Sequence, residues 1–186
     1  MRDIYVVGDA NVDIIVPYPR FLNEERTLVD YPNPELVGGG TSANTAVALA
    51  KLGLPVSFLG TIGDDQYGKY IQKDFKEQGV NTADLIVDPK LNTVGVFAFI
   101  DENGERYLWG WPRVDQAFKV LERDKVPFEK IEAADWVHSS GMSLVYDTSA
   151  RTEIIEIFKK AYEAGVPTSF DPVSYTHLTL PTTSRV

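Results

Sequence analysis

The chain opens on Ile4-Tyr5-Val6-Val7, an unbroken apolar run stopped by Gly8. A run this short shows no helical period, and an apolar side chain at every position suits a strand covered on both faces. The pattern predicts a central β-strand. Apolar residues then return at helical spacing at Ala43, Val47, Ala50 and Leu52, with Ser42 as the expected N-cap and Gly53 as the stop. Residues 56–60 predict a second buried strand, 67–78 a helix closed by Gly79, and 135–138 another strand. A helix over 148–163 closed by Gly165 follows, and Thr168-Ser169-Phe170 opens the next strand. Strand alternating with helix at this spacing predicts an α/β fold, a mostly parallel sheet with helices on both faces.

Two segments break that rhythm. Residues 12–16 with 27–31, and 93–100 with 105–111, read as strand pairs with no helix between them. The second pair turns at Asn103-Gly104, a strong hairpin signal. A small antiparallel accessory sheet standing off the main one is expected. Its aromatic residues (Phe97, Phe99, Tyr107, Trp109, Trp111) call for a cover: a ligand, the main body, or a second subunit in a homodimer. Any single ring could equally finish the domain core.

Composition narrows the partners. The 186 residues fit one domain able to bury a core without staples. A net charge of −9, with 18 basic residues scattered, argues against nucleic acid and against an anionic membrane surface. There is no cysteine, which removes disulfides and thiolate chemistry and fits a reducing compartment. No apolar run approaches the length of a membrane span, so the protein is expected in the cytoplasm with a small polar ligand.

Candidate chemistry gathers in two places. In Gly8-Asp9-Ala10-Asn11-Val12-Asp13, Asn11 and Asp13 face one way if the chain stays extended, at the carboxyl end of the first strand. A carboxylate beside an amide suits paired hydroxyls, because Asp accepts twice while Asn donates and accepts. An Asx turn capping the strand is the alternative. In GGGTSANTAVALAKLG, from Gly38 to Gly53, three glycines feed a helix N-terminus, a ready anion site. A Walker loop requires Gly-Lys-Ser/Thr, however, and no lysine stands here. A dinucleotide fingerprint requires G-x-G-x-x-G after the first strand, and Gly8 is alone there, which disfavours an NAD-dependent oxidoreductase. What remains is a tight turn that lets backbone approach a ligand, with Asn44 one turn into the helix pointing back to its start.

These features together resemble the ribokinase-like, or phosphofructokinase B-type, carbohydrate kinases. The matching features are Asn11-x-Asp13 after the first strand, Gly39-Gly40-x-x-Ala43-Asn44 entering a helix, Gly63-Asp64-Asp65-x-x-Gly68 after the next strand, and the paired strands between. The resemblance covers residues 3 to about 172. It implies an α/β/α sandwich with a β-lid, at about 12–37 and 93–113, closing over a sugar. It implies that Asn11, Asp13, Gly39, Gly40 and Asn44 bind sugar hydroxyls, with Gly39-Gly40 as the hinge. It also implies transfer of the ATP γ-phosphate, with Mg2+, to a sugar hydroxyl in the full-length parent. Asp64 and Asp65 could otherwise pass for a catalytic pair or half a metal site; the resemblance makes them structural. His138 reads as a satisfied core histidine, and Arg106 as a solvated lid residue that could also meet an acidic sugar.

The family's anion hole and catalytic base lie in a Gly-Ala-Gly-Asp motif that this chain does not contain. The pattern departs at Val173, where the family carries Asp-Pro-Asn and this chain has Asp171-Pro172-Val173. Residues 1–172 are therefore expected to be the amino-terminal, sugar-binding part, and 173–186 a foreign or frame-shifted tail without periodicity. Phosphoryl transfer depends on positioning and electrostatic stabilisation, so no catalytic residue, no resident metal and no turnover are expected of this chain. A non-catalytic sugar-binding or lid-mediated interaction protein is the alternative.

Overall fold

The computed structural model describes residues 3–17 and 33–173. Strands β1 (Ile4–Val7) and β2 (Asn11–Pro17) are followed by β3 (Glu35–Gly39), α1 (Thr41–Lys51), β4 (Val56–Leu59), β5 (Thr61–Gly63) and α2 (Gln66–Glu77). Then come β6 (Ile86–Asp88), β7 (Gly95–Ile100), β8 (Arg106–Trp111), α3 (Phe128–Glu132), β9 (Trp136–Ser140), α4 (Ser149–Glu163) and β10 (Thr168–Asp171).

The main sheet runs β10-β9-β1-β4 and is parallel throughout, with β1 inside it as its apolar run requires. Alternation divides the core into two layers. Val6, Val56 and Phe58 pack with Ala43, Ala46, Ile71 and Phe75 of α1 and α2 on one face. Tyr5, Val7, Leu59 and Val137 pack with Ile154, Ile157 and Ala161 of α4 on the other. Helices thus cover both faces, as the alternating pattern predicts.

The lid is a second sheet in the order β3-β2-β7-β8. Its outer pairs, β2 with β3 and β7 with β8, are antiparallel, but β2 and β7 run parallel. The expected small antiparallel sheet is therefore mixed, because β2 and β7 each leave the main body in the same direction. The expected partner strand at 27–31 lies outside the described residues, and the observed partner of β2 is β3. A short parallel pair, β5 with β6, was not legible as strands.

Helix α1 begins one residue before its expected cap. Gly40 is the N-cap and makes no side-chain bond, while Ser42 sits inside the first turn, fully buried. The cap is supplied from elsewhere in the chain.

Candidate functional site

The site forms where the chain crosses between the main sheet and the lid. β1 ends at Val7, and Gly8-Asp9-Ala10 leads directly into β2; β3 returns antiparallel to β2, pairing Asn11 with Gly39 and Asp13 with Val37. Two glycines make the return fit. A Cβ on Gly39 would stand 2.7 Å from the Asp13 carboxyl carbon and 2.8 Å from Asn11 Nδ2. Gly40 has φ 102°, and a Cβ there would lie 2.8 Å from the Asp9 carbonyl oxygen. Only glycine serves both positions without displacing its neighbours.

Asn11 and Asp13 stand inside a strand, not in an Asx turn. Asn11 Nδ2 donates to Asp13 Oδ1 at 2.8 Å. Burial pushes the Asp13 carboxyl above its ordinary pKa, against the opposing pull of the Asn11 hydrogen bond and the positive charge of Arg106. Arg106 is exposed on β8. Lid pairing sets Asp13 beside Val96, and Ile100, four residues on, beside Arg106, so Asp13 and Arg106 fall on one face.

The helix N-terminus that suggested phosphate is already filled by a carboxylate of the chain itself. Asp9 is 4% exposed. Its Oδ2 accepts from Thr41 N at 2.7 Å, and its Oδ1 accepts from Ser42 N at 3.2 Å, Ser42 Oγ at 3.0 Å and Ser140 Oγ at 3.0 Å. Ala43 N donates to the Asp9 main-chain oxygen at 3.1 Å, and Asn44 N to that of Gly40 at 2.8 Å. The free amides of Thr41, Ser42 and Ala43 are thereby satisfied by Asp9, and Asn44 makes the first bond of the helix itself. Hydrogen bonds to an ionised group contribute about 1.5–3 kcal/mol each, which makes displacement of Asp9 by an external phosphate unfavourable. Sequence reasoning passed over Asp9, although it shares the alternation of Asn11 and Asp13. The absence of any acidic residue in the first turn of α1 was a second signal.

Asn44 is exposed on α1. With Asn11, Gly39, Lys51, Tyr70 and Asp74 it lines a cleft of about 350 Å³ between α1, α2 and β3. Tyr70 Oη donates to the Leu36 carbonyl at 2.7 Å and holds β3 against α2. The structure thus brings Asn11, Asp13, Gly39 and Gly40 into direct contact and sets Asn44 across the cleft from β3. Asp13 does not line that cleft; it joins it through Asn11.

The other candidates have structural work. Asp65 caps α2, with Oδ1 accepting from Gly68 N at 2.8 Å and Oδ2 from Thr93 N at 2.7 Å, while Asp64 pairs with Lys69 at 3.3 Å on the surface. His138 is half satisfied: Nδ1 meets Ser169 Oγ at 2.8 Å, while its buried Nε2 has no hydrogen-bond partner. Burial lowers its pKa, partly offset by Asp171. Among the described residues no group of three or more acidic or histidine side chains is placed to hold a metal, and no helix is long and apolar enough to cross a membrane.

Residues 1–184 match the model of the pfkB family of carbohydrate kinases. The chain belongs to that family. It is 36% identical over 174 residues to a fructokinase of Vibrio alginolyticus, covering 92% of this chain and 51% of that protein. It is 29% identical over 171 residues to an aminoimidazole riboside kinase of Salmonella typhimurium, covering 92% of this chain and 49% of the other. Among solved structures, a fructokinase from Xylella fastidiosa superposes with a TM-score of 0.79 at 25% identity, covering 100% of this chain and 56% of that one. A PfkB protein from Polaromonas, at 19% identity and a TM-score of 0.80, shares the fold. The chain spans about half the length of the curated relatives it matches. The pfkB fold is the ribokinase-like α/β arrangement with a lid that the motif order implies.

Proposed function

We propose that this chain is the sugar-binding part of an ATP-dependent sugar kinase, with a ketohexose such as fructose as the substrate. The observation that carries the reading is the contact of Asn11, Asp13, Gly39 and Gly40 at the root of the lid. It presents an amide, a carboxylate and bare backbone in one place, the donor and acceptor set that adjacent hydroxyls require. Fructokinases among the relatives support the choice of sugar. In this reading Asn11 and Asp13 bind hydroxyls, Asn44 contributes from α1, and Gly39-Gly40 is the hinge of lid closure. ATP and Mg2+ act in the full-length parent and are not bound tightly by this chain. Turnover needs an anion hole and base that its sequence does not contain, so the chain alone is inactive. A cytoplasmic setting, which the lack of cysteine supports, and a homodimer through the exposed lid belong to the same reading.

Calorimetric titration of the chain with D-fructose tests the proposal. Saturable binding is expected, with no phosphorylation when ATP and Mg2+ are added. Asp13→Ala should lower affinity about tenfold or more, through loss of one or two charge-assisted hydrogen bonds. Equal affinity of Asp13→Ala and the wild-type chain would remove Asp13 from the site.

A further inference from the structure

We propose that Asp9 is a positioning residue for sugar binding, a latch that fixes the angle between α1 and the lid; the proposal rests on the sugar-binding reading above. Three elements meet at this one carboxylate. Asp9 itself lies in the three-residue crossing from β1 to β2, its Oδ2 and Oδ1 hold the amides of Thr41 and Ser42 at the start of α1, and Ser140 Oγ reaches it from the end of β9. The two hydroxyls that converge on Oδ1, those of Ser42 and Ser140, stand 2.9 Å apart.

The placement matters because the candidate sugar ligands sit on different elements. Asn11 and Asp13 ride on β2, Asn44 on α1, and Gly39-Gly40 on the return between them. Their mutual distance depends on how α1 leaves Gly40. Asp9 adjoins Asn11 through Ala10 alone, and its main-chain oxygen takes the Ala43 amide beside Asn44. One residue therefore carries the strand-borne and helix-borne ligands together. Asp9 does not itself touch sugar, since it is buried and both its oxygens are engaged by protein donors. Its full negative charge at the helix start also opposes an anionic group placed there, which favours an uncharged polyol.

The test compares the 186-residue chain with Asp9→Asn, Asp9→Ala and Ser140→Ala. D-fructose binding is measured by calorimetry at a temperature where each variant retains the wild-type circular dichroism spectrum. Amide exchange at Thr41 and Ser42 is followed alongside. Asp9→Asn is expected to weaken fructose binding about tenfold or more and to accelerate exchange at those two amides, while β1 and β4 keep their protection. Ser140→Ala, which removes one of four donors, should give a smaller loss in the same direction. Wild-type affinity in a folded Asp9→Asn variant whose Thr41 and Ser42 amides exchange faster would overturn the proposal and leave Asp9 as a stability residue. If Asp9→Ala does not fold, Asp9→Asn and Ser140→Ala decide. If the wild-type chain gives no heat with fructose, the sugar reading fails by itself, and unchanged exchange in Asp9→Asn then overturns the latch as well.

Discussion

Asp13 is the residue whose chemistry can be read from solution pH. Its carboxyl is held above the ordinary range chiefly by burial, so in the folded chain it ionises later than in an unfolded one. The ionised form is the stronger acceptor of sugar hydroxyls. Fructose affinity should therefore rise as pH increases through a midpoint above about 3.9, the ordinary Asp value, and level off beyond it. Asp13→Asn, which keeps a hydrogen-bonding group without the titration, should flatten that profile; a sloped profile in the variant would assign the dependence to another group. The linkage has the opposite sign for stability. Because the folded state binds the proton more tightly, the Asp13 contribution to folding declines as pH rises through the same window.

At the level of elements, the two carboxylates of Gly63-Asp64-Asp65 separate cleanly. Asp65 caps α2 and also takes the Thr93 amide just before β7, while Thr93 Oγ1 accepts from Gly63 N at 2.8 Å. It staples the second crossing into the lid. Asp65→Ala should destabilise the chain by about 1–3 kcal/mol, through the lost cap and two amides left without their acceptor, lowering the melting temperature by several degrees. Asp64→Ala breaks one exposed pair with Lys69 and should cost under about 1 kcal/mol. Equal effects in thermal denaturation would contradict the division. Local pattern carried most of this level: β1, β4, α2 and α4 stand within a residue or two of their expected ranges, because each is marked by its own period and its own glycine. What did not show was contact through space. Asp9 caps a helix that begins 32 residues later, so Ser42 looked like the cap. The parallel pairing of β2 with β7 joins segments more than 80 residues apart, and no turn signal records it. Asn11, Asp13 and the glycines were legible because their types and spacing are local; the residue that organises them was not.

At the scale of the molecule, two apolar surfaces stand out among the described residues, and they make different claims. On the lid, Tyr107, Trp109 and Trp111 are 61%, 46% and 52% exposed, and the Trp109 ring lies 5.7 Å from Phe97 and 6.1 Å from Trp111. Phe97 packs against the core, while Tyr107, Trp109 and Trp111 stay exposed, so among the described residues neither the core nor α2 supplies the cover that their aromatic content calls for. Beneath the sheet edge at β10, Leu144, Ile154, Phe158, Tyr162 and Phe170 line an apolar groove of about 480 Å³. Either surface could drive self-association, against a net charge of −9 that resists it. The lid is the stronger candidate, because large aromatic anchors dominate the energetics of protein interfaces. Sedimentation at micromolar concentration should show a dimer, and Trp109→Ala should weaken it about tenfold or more at unchanged melting temperature. Ile155→Ala, at the rim of the groove, should leave it intact. Loss of the dimer in Ile155→Ala but not in Trp109→Ala would move the interface from the lid to the groove, and a wild-type monomer throughout would remove the second copy as the cover of the lid.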